Sequence, residues 1–246
     1  MQQEDEEKQK LEFQFTLLQE REDFLSVINH RLRTPVLANK RTAQLLLDGA
    51  FGPLSQEQLR VLGALLESNN EIDRLLGMLV DLYKYKNSNG ALIVKEHSLD
   101  SVLSPIQKLR SRAENRQLSL EIKVPPGIRV LGDSKELAKL LTHIIENAIK
   151  FAKTKVAISA VLTDNGELQL SIEDDGIGIA GDDLAHIFER FYLMSAQGRY
   201  SPMTGIGLCL CAEIAKAHNG RIHCESQLGV GTKFTVFLPG AKYSSL

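Results

Sequence analysis

Leu11, Leu18, Leu25 and Leu32 recur at every seventh position, and Phe15 and Val36 take the complementary seam positions of the same repeat. A sustained seven-residue apolar period commits a chain to a helix that buries a narrow stripe against another helix. The polar Glu22 and Asn29 fall in the complementary register and weaken that seam. The pattern predicts a helix running to about Leu47. Gly49-Ala50-Phe51-Gly52-Pro53 then reads as a turn, because glycines and a proline so close together interrupt helical bonding. A second helix is expected from Ser55, with Gln58 placed as a capping box requires. Leu62, Leu65, Ile72, Leu76 and Leu79 follow at helical spacing, with Asn69 in the gap. Two long amphipathic helices joined by a short turn form a hairpin. A lone hairpin has too little mass to cover both apolar faces, so a second copy is expected to complete a four-helix bundle.

The character of the chain changes at the polar Lys86-Asn87-Ser88-Asn89-Gly90, which reads as a linker. Beyond it, strand-like runs are expected near 91–95, 118–124, 155–162, 167–173, 221–225 and 232–238. Helices are expected near 99–115, 134–152, 182–188 and 205–218. Asp164-Asn165-Gly166 is a hairpin turn signal. The predicted class is α+β: a helical hairpin forming a dimeric four-helix bundle, followed by an α/β sandwich. A length of 246 residues suits one small and one medium domain.

Composition narrows the function classes. With 29 basic and 31 acidic residues the formal charge is -2, which argues against nucleic acid or an anionic membrane as the main partner. Cys209, Cys211 and Cys224 form an odd set without metal-ligand spacing and read as free thiols in a reducing compartment. Cys209 and Cys211 are expected as small core residues. The charged start MQQEDEEKQK is not a signal peptide, and no apolar run approaches the roughly 20 residues that span a bilayer. A soluble, cytoplasmic chain is expected, with membrane contact only through upstream segments if any exist.

Several clusters carry chemistry. In Asn29-His30-Arg31-Leu32-Arg33-Thr34-Pro35, His30 stands two residues from a seam leucine, so its ring should flank the core and reach solvent. A neutral imidazole nitrogen is a competent nucleophile toward phosphorus. Pro35 removes a helical hydrogen bond and tends to kink the segment. Asn147 and Lys150, in His143-Ile144-Ile145-Glu146-Asn147-Ala148-Ile149-Lys150-Phe151, share a helix face. An amide oxygen suits a hard divalent ion and a lysine suits a phosphate, although a plain polar helix face has the same look. In Glu173-Asp174-Asp175-Gly176-Ile177-Gly178-Ile179, a carboxylate at a strand end meets glycines that admit close approach to a ligand. Thr204-Gly205-Ile206-Gly207-Leu208 opens a helix whose N-terminal amides can bind phosphate. Gly229-Val230-Gly231-Thr232-Lys233-Phe234 precedes a closing strand.

In this order over residues 24–239 the clusters resemble the boxes of sensor histidine kinases of two-component systems. His30-Arg31-Leu32-Arg33-Thr34-Pro35 resembles the H box, commonly His-Glu/Asp-Leu-Arg-Thr-Pro. The resemblance implies that His30 is the phosphoacceptor and that Thr34 helps to place water during dephosphorylation of the partner. The helix around Asn147 resembles the N box, implying Asn147 as Mg²⁺ ligand and Lys150 as phosphate contact, with His143 where the family often has another asparagine. The Asp174 cluster resembles the first glycine box, which implies adenine recognition by Asp174 and ATP contacts at Gly176 and Gly178. Ile187-Phe188-Glu189-Arg190-Phe191-Tyr192 resembles the F box, and Leu193 to Met203 would be the ATP lid. Gly205 and Gly207 resemble a shortened second glycine box, and Thr232 would support the adenine pocket. The domains implied are a coiled-coil signalling helix over 1–23, a dimerisation and histidine phosphotransfer domain over 24–88, and an ATP-binding domain over 91–246.

The activity implied is ATP- and Mg²⁺-dependent phosphorylation of His30 in a homodimer, then transfer to an aspartate of a response-regulator receiver domain. Signals would enter through the coiled coil. The sequence departs from the pattern at Arg31, where the family has an acid that accepts the imidazole proton. That leaves as an alternative an ATP-binding signalling scaffold with impaired catalysis. A related chaperone or repair ATPase would instead carry a catalytic glutamate where His143 stands, and would lack the His30 stem.

Overall fold

The computed structural model describes residues 31–87, 92–193 and 205–243. The coiled-coil stretch, His30, the linker core at 88–91 and the lid segment from 194 to 204 lie outside the described residues. The chain divides into two compact units, Met1–Asn87 and Ser88–Leu246.

In the first unit, helix α1 covers 31–47 and helix α2 covers Gln56–Asn87. The turn at the end of α1 follows from its glycine. Gly49 takes φ +79, and the N–H groups of Gly49 and Ala50 return to the carbonyls of Leu46 and Leu45 at 3.1 Å. That pair of bonds satisfies carbonyls a helix end would otherwise leave open. The capping box at the start of α2 is reciprocal. Ser55 N–H donates to Gln58 Oε1 at 2.8 Å, and Gln58 N–H donates to Ser55 Oγ at 3.2 Å. Val36, Ala43, Leu76, Met78 and Leu82 are buried, and buried Asn69 satisfies itself by donating to the Leu65 carbonyl at 2.9 Å. Asp73 of α2 ties to Arg33 at 3.0 Å and Lys40 at 3.4 Å on α1. Leu32, Leu37, Leu45, Leu65, Ile72 and Val80 remain exposed.

The second unit contains two sheets. Strands β1 (Lys95–Ser98), β3 (Ile128–Gly132) and β8 (Lys242–Tyr243) form a three-stranded antiparallel sheet in the order β1-β3-β8. Strands β2 (Ser119–Lys123), β4 (Lys155–Leu162), β5 (Leu168–Asp174), β6 (Arg221–Gln227) and β7 (Gly231–Leu238) form a five-stranded sheet in the order β2-β4-β5-β7-β6. Only the β2–β4 pair is parallel. The helices are α3 (Leu99–Leu103), α4 (Ile106–Asn115), α5 (Ser134–Phe151), α6 (Gly181–Leu184) and α7 (Gly207–Ala217). Helix α5 packs on α7, α3, α4 and β5. Leu140, Ile144 and Ile145 of α5 and Leu210 and Ile214 of α7 meet Ile158, Leu170, Ile172 and Val236 of the sheet in one core. Alternation along β5 buries Leu168, Leu170, Ile172 and Asp174 and leaves Gln169, Ser171 and Glu173 more accessible, as expected of a sheet covered on one face.

Five elements differ from the sequence reading. The strand expected at 91–95 lies at Lys95–Ser98, where it pairs with β3. Strands β3 and β8 were not anticipated. The helix expected over 99–115 is broken between Leu103 and Ile106, where Pro105 has no N–H to continue the first helix. The helix expected over 182–188 is the single turn Gly181–Leu184, followed by further turns. Among the described residues no helix is long and apolar enough to cross a membrane.

Candidate nucleotide-binding site

The site begins with the end of β5. The strand's period carries the carboxyl group of Asp174 onto the same buried face as the core residues before it. Asp174 is 6% exposed, and burial pushes its pKa up to about 6. The Gly176 N–H, which donates to Oδ1 at 2.9 Å, and the Thr232 amide oppose that rise, while the charges of Asp175 and Glu173 add to it. Thr232 pairs with Asp174 across β5 and β7, so the two come together through the ladder. Next to them Ser226 Oγ donates to the Gly231 carbonyl at 2.8 Å and accepts from Ile179 N–H at 2.8 Å. Its one proton is therefore committed, and Thr232 Oγ1, at 2.9 Å, is the donor of that pair.

Two glycines allow this closeness. A Cβ on Gly176 would sit 2.3 Å from the Phe151 carbonyl oxygen, and one on Gly178, at φ +68, would sit 2.0 Å from the Gln227 carbonyl oxygen. Gly178 is thus locked against the end of β6, and the neighbouring Gly229 N–H donates to the Ile177 carbonyl at 2.6 Å.

Helix α5 supplies the second wall. Asp133 caps it, accepting from Lys135 N–H at 3.0 Å and Glu136 N–H at 3.4 Å. Its apolar stripe from Leu137 to Ile149 is buried, which leaves Asn147 and Lys150 half-buried along the margin of that stripe. Lys150 Nζ lies 5.4 Å from the Phe151 ring centroid. Arg112 of α4 pairs with Glu146, and Arg116 donates to the Ile149 carbonyl, so the last turns of α5 are held from outside. His143 is half-buried one turn before Asn147.

Helix α7 begins at Gly207. Gly205, just before it, has φ +63, and its carbonyl accepts from Phe191 N–H at 2.9 Å, joining the F-box segment to the helix start. Phe188 makes an edge contact with Phe234 at 6.4 Å, whereas Phe191 is exposed, so the F-box aromatics divide between core and surface. Cys209 and Cys211 are buried and burial pushes the Cys211 thiol up, while the Cys224 thiol is pushed up to about 12 by burial and by the nearby charges of Asp174 and Glu225. Cys211 and Cys224 are therefore poor thiolates.

Asp174, Gly176 and Thr232 are thus assembled at one spot, with Gly178 beside them. Asn147 and Lys150 stand together on α5, and Gly205 and Gly207 at the start of α7. Thr34 belongs to the other unit, exposed on α1. Three contributors escaped the sequence reading: Ser226, Thr154 and Asp175. Asp175 accepts bonds from the loop after α5, and the Asp174-Asp175 doublet was its only signal. Among the described residues no cluster of His, Cys, Asp and Glu could hold a metal, so a divalent ion here would rely on an amide oxygen and on phosphate oxygens.

Comparison with known proteins gives the same two parts in the same order. A family model described as "His Kinase A (phospho-acceptor) domain" matches residues 20–88. Another, described as "Histidine kinase-, DNA gyrase B-, and HSP90-like ATPase", matches residues 132–242. The sensor-like histidine kinase SenX3 of Mycolicibacterium smegmatis is 32% identical over 223 residues, which cover 89% of this chain and 57% of that protein. The signal transduction histidine-protein kinase BaeS of Escherichia coli is 31% identical over 232 residues, covering 90% of this chain and 47% of that protein. The chain therefore spans about half the length of these relatives. Among solved structures, full-length ShkA in complex with AMPPNP has the same fold, with a TM-score of 0.75 at 24% identity over 91% of this chain and 47% of that one. The Acinetobacter baumannii histidine kinase AdeS superposes with a TM-score of 0.60 at 26% identity over 85% of this chain and 97% of that one. The chain belongs to the sensor histidine kinases, and its two parts are a phospho-acceptor helical hairpin and an α/β ATP-binding domain.

Proposed function

We propose that this chain phosphorylates itself on His30 from ATP and passes the phosphoryl group to an aspartate of a response-regulator receiver domain. A neutral ring nitrogen of His30 attacks the γ-phosphorus, a P–N bond forms, and the bond to the leaving ADP oxygen breaks. The imidazole proton goes to water or another base, because Arg31 is a permanent cation. Asp174, with Thr232 beside it, accepts from the adenine amino group. Gly176 and Gly178 let the backbone approach the nucleotide, and Gly205 and Gly207 open the amides of α7 to phosphate. Lys150 offsets phosphate charge, and Asn147 would hold Mg²⁺, which supplies further charge neutralisation as the γ-phosphoryl group leaves. In the stem, Thr34 places water for dephosphorylation of the partner. The working unit is a homodimer in the cytoplasm, with a signalling coil over 1–23, a phosphotransfer domain over 24–88 and an ATP-binding domain over 91–246.

The observation that carries the reading is Asp174. A desolvated carboxylate at a strand end is costly, and such a cost is commonly kept where a ligand uses the group. A second reading rests on Arg31, in place of the usual acid: a scaffold that binds ATP without phosphorylating itself.

Incubation of the protein with γ-labelled ATP and Mg²⁺ tests both, alongside His30→Ala and Arg31→Glu. Acid-labile label on the parent, absent from His30→Ala, is expected. An unlabelled parent that still binds ATP and regains label in Arg31→Glu would favour the scaffold.

A further inference from the structure

The second acid of the Asp174-Asp175 doublet turns toward the loop that leaves α5. Its Oδ1 accepts the N–H groups of Lys153, Thr154 and Lys155, each at 3.0 Å, and Oδ2 accepts Thr154 N–H at 3.1 Å. The Thr154 hydroxyl donates to Oδ2 as well. Consecutive amides converging on one anion form a nest, and here a side chain of the protein fills it. The lock is reciprocal: Asp175 N–H donates to the Lys155 carbonyl at 3.3 Å, and Gly176 abuts the Phe151 carbonyl. Burial works to raise the Asp175 pKa, but the bonds from Thr154, Lys155 and Lys153 outweigh it and hold the carboxyl below the usual carboxylate range. It is therefore an anion at any physiological pH.

We propose that Asp175 is a positioning residue that sets the spacing between the adenine end of the nucleotide site, at Asp174, and its phosphate end, at Asn147 and Lys150 on α5. The inference rests on the nucleotide-site reading above and deepens it. Lys150 lies in the last turn of α5, directly before the clamped loop, so the register of that loop fixes the helix end. Asp174 is adjacent to the clamp in sequence but is also held from the far side by the β5–β7 ladder, opposite Thr232. Removing the clamp leaves three amides that water can reach, while Arg116 still holds the Ile149 carbonyl and the core stripe of α5 is untouched. The domain then folds with a phosphate end that has lost its register. An asparagine in place of Asp175 offers the same three amides a carbonyl oxygen and gives Thr154 Oγ1 a donor in place of an acceptor.

The test uses the full chain and two ligands, Mg-ATP followed by calorimetry and adenosine followed by ligand-observed NMR. Asp175→Ala is expected to weaken ATP by about tenfold or more while adenosine changes by less than about twofold, and Asp175→Asn is expected to restore most of the ATP affinity. Thr154→Val, which keeps the amide bonds, is expected to show a smaller loss in the same direction and serves if Asp175→Ala does not fold. Equal losses for both ligands, unchanged ATP affinity, or no recovery in Asp175→Asn would overturn the proposal. A parent protein that binds neither ligand would instead overturn the nucleotide reading on which it stands.

Discussion

Asp174 is ionised at neutral pH against the preference of its surroundings. Its pKa is about 6 in the folded chain against 3.8 for an ordinary aspartate. Between those values the native state holds a proton that the unfolded chain releases, so stability is fully present below about 3.8 and declines as pH rises through about 6. At pH 7 the ionised group costs roughly 1–3 kcal/mol. Asp174→Asn should therefore melt about 2–12 °C above the parent at pH 7. Scanning calorimetry should find that advantage gone near pH 4, and the stabilisation of the parent by ATP absent from the variant. The position of Asp174 was legible from its place between an alternating strand and two glycines, and the resemblance supplied the role proposed for it. Asp175 and Ser226 were not legible, because their partners lie in the α5–β4 loop and at Ile179 after β5, and no local pattern announces a contact made across the fold.

Among the elements, the start of α2 was legible because what starts it is local. Ser55 and Gln58 lie within one turn and bond each other's backbone. Ser55→Ala should destabilise the stem by about 1 kcal/mol, and thermal unfolding followed by circular dichroism would register it. The strands of the long sheet were legible for a similar reason: β4 and β5 are joined by a short hairpin in which Gly166 N–H donates to the Thr163 carbonyl at 3.0 Å. The small sheet was not. β1 takes its partners from Arg129 to Gly132, and β8 takes Ile128 and Arg129 from far along the chain. Ile128, Val130 and Gly132 do alternate inward, but the strand is short and directly follows Pro125-Pro126-Gly127. Register in such strands is set by distant pairing, which short-range periodicity does not contain.

At the scale of the whole molecule, the hairpin exposes Leu65 and Ile72, at 46% and 42%, one heptad apart on α2. Pairing of two stems would cover such a stripe. Sedimentation of the full chain should therefore give a dimer, and Leu65→Glu together with Ile72→Glu should convert it to monomer; a parent that sediments as a monomer would remove the bundle from the account. The ATP-binding unit carries a different constraint. Strand β5, which ends in Asp174, is flanked on one side by β7, and Thr232 of that strand is 58 positions further along the chain. A ribosome adding about 5–20 residues per second needs roughly 3–12 s to cross that interval. Throughout it, nascent β5 has no partner on that side and presents open backbone groups, which template aggregation. Premature termination between Asp174 and Thr232 would thus release a chain that lacks the Asp174–Thr232 pairing and keeps a bare strand edge, a product for the protein quality-control machinery.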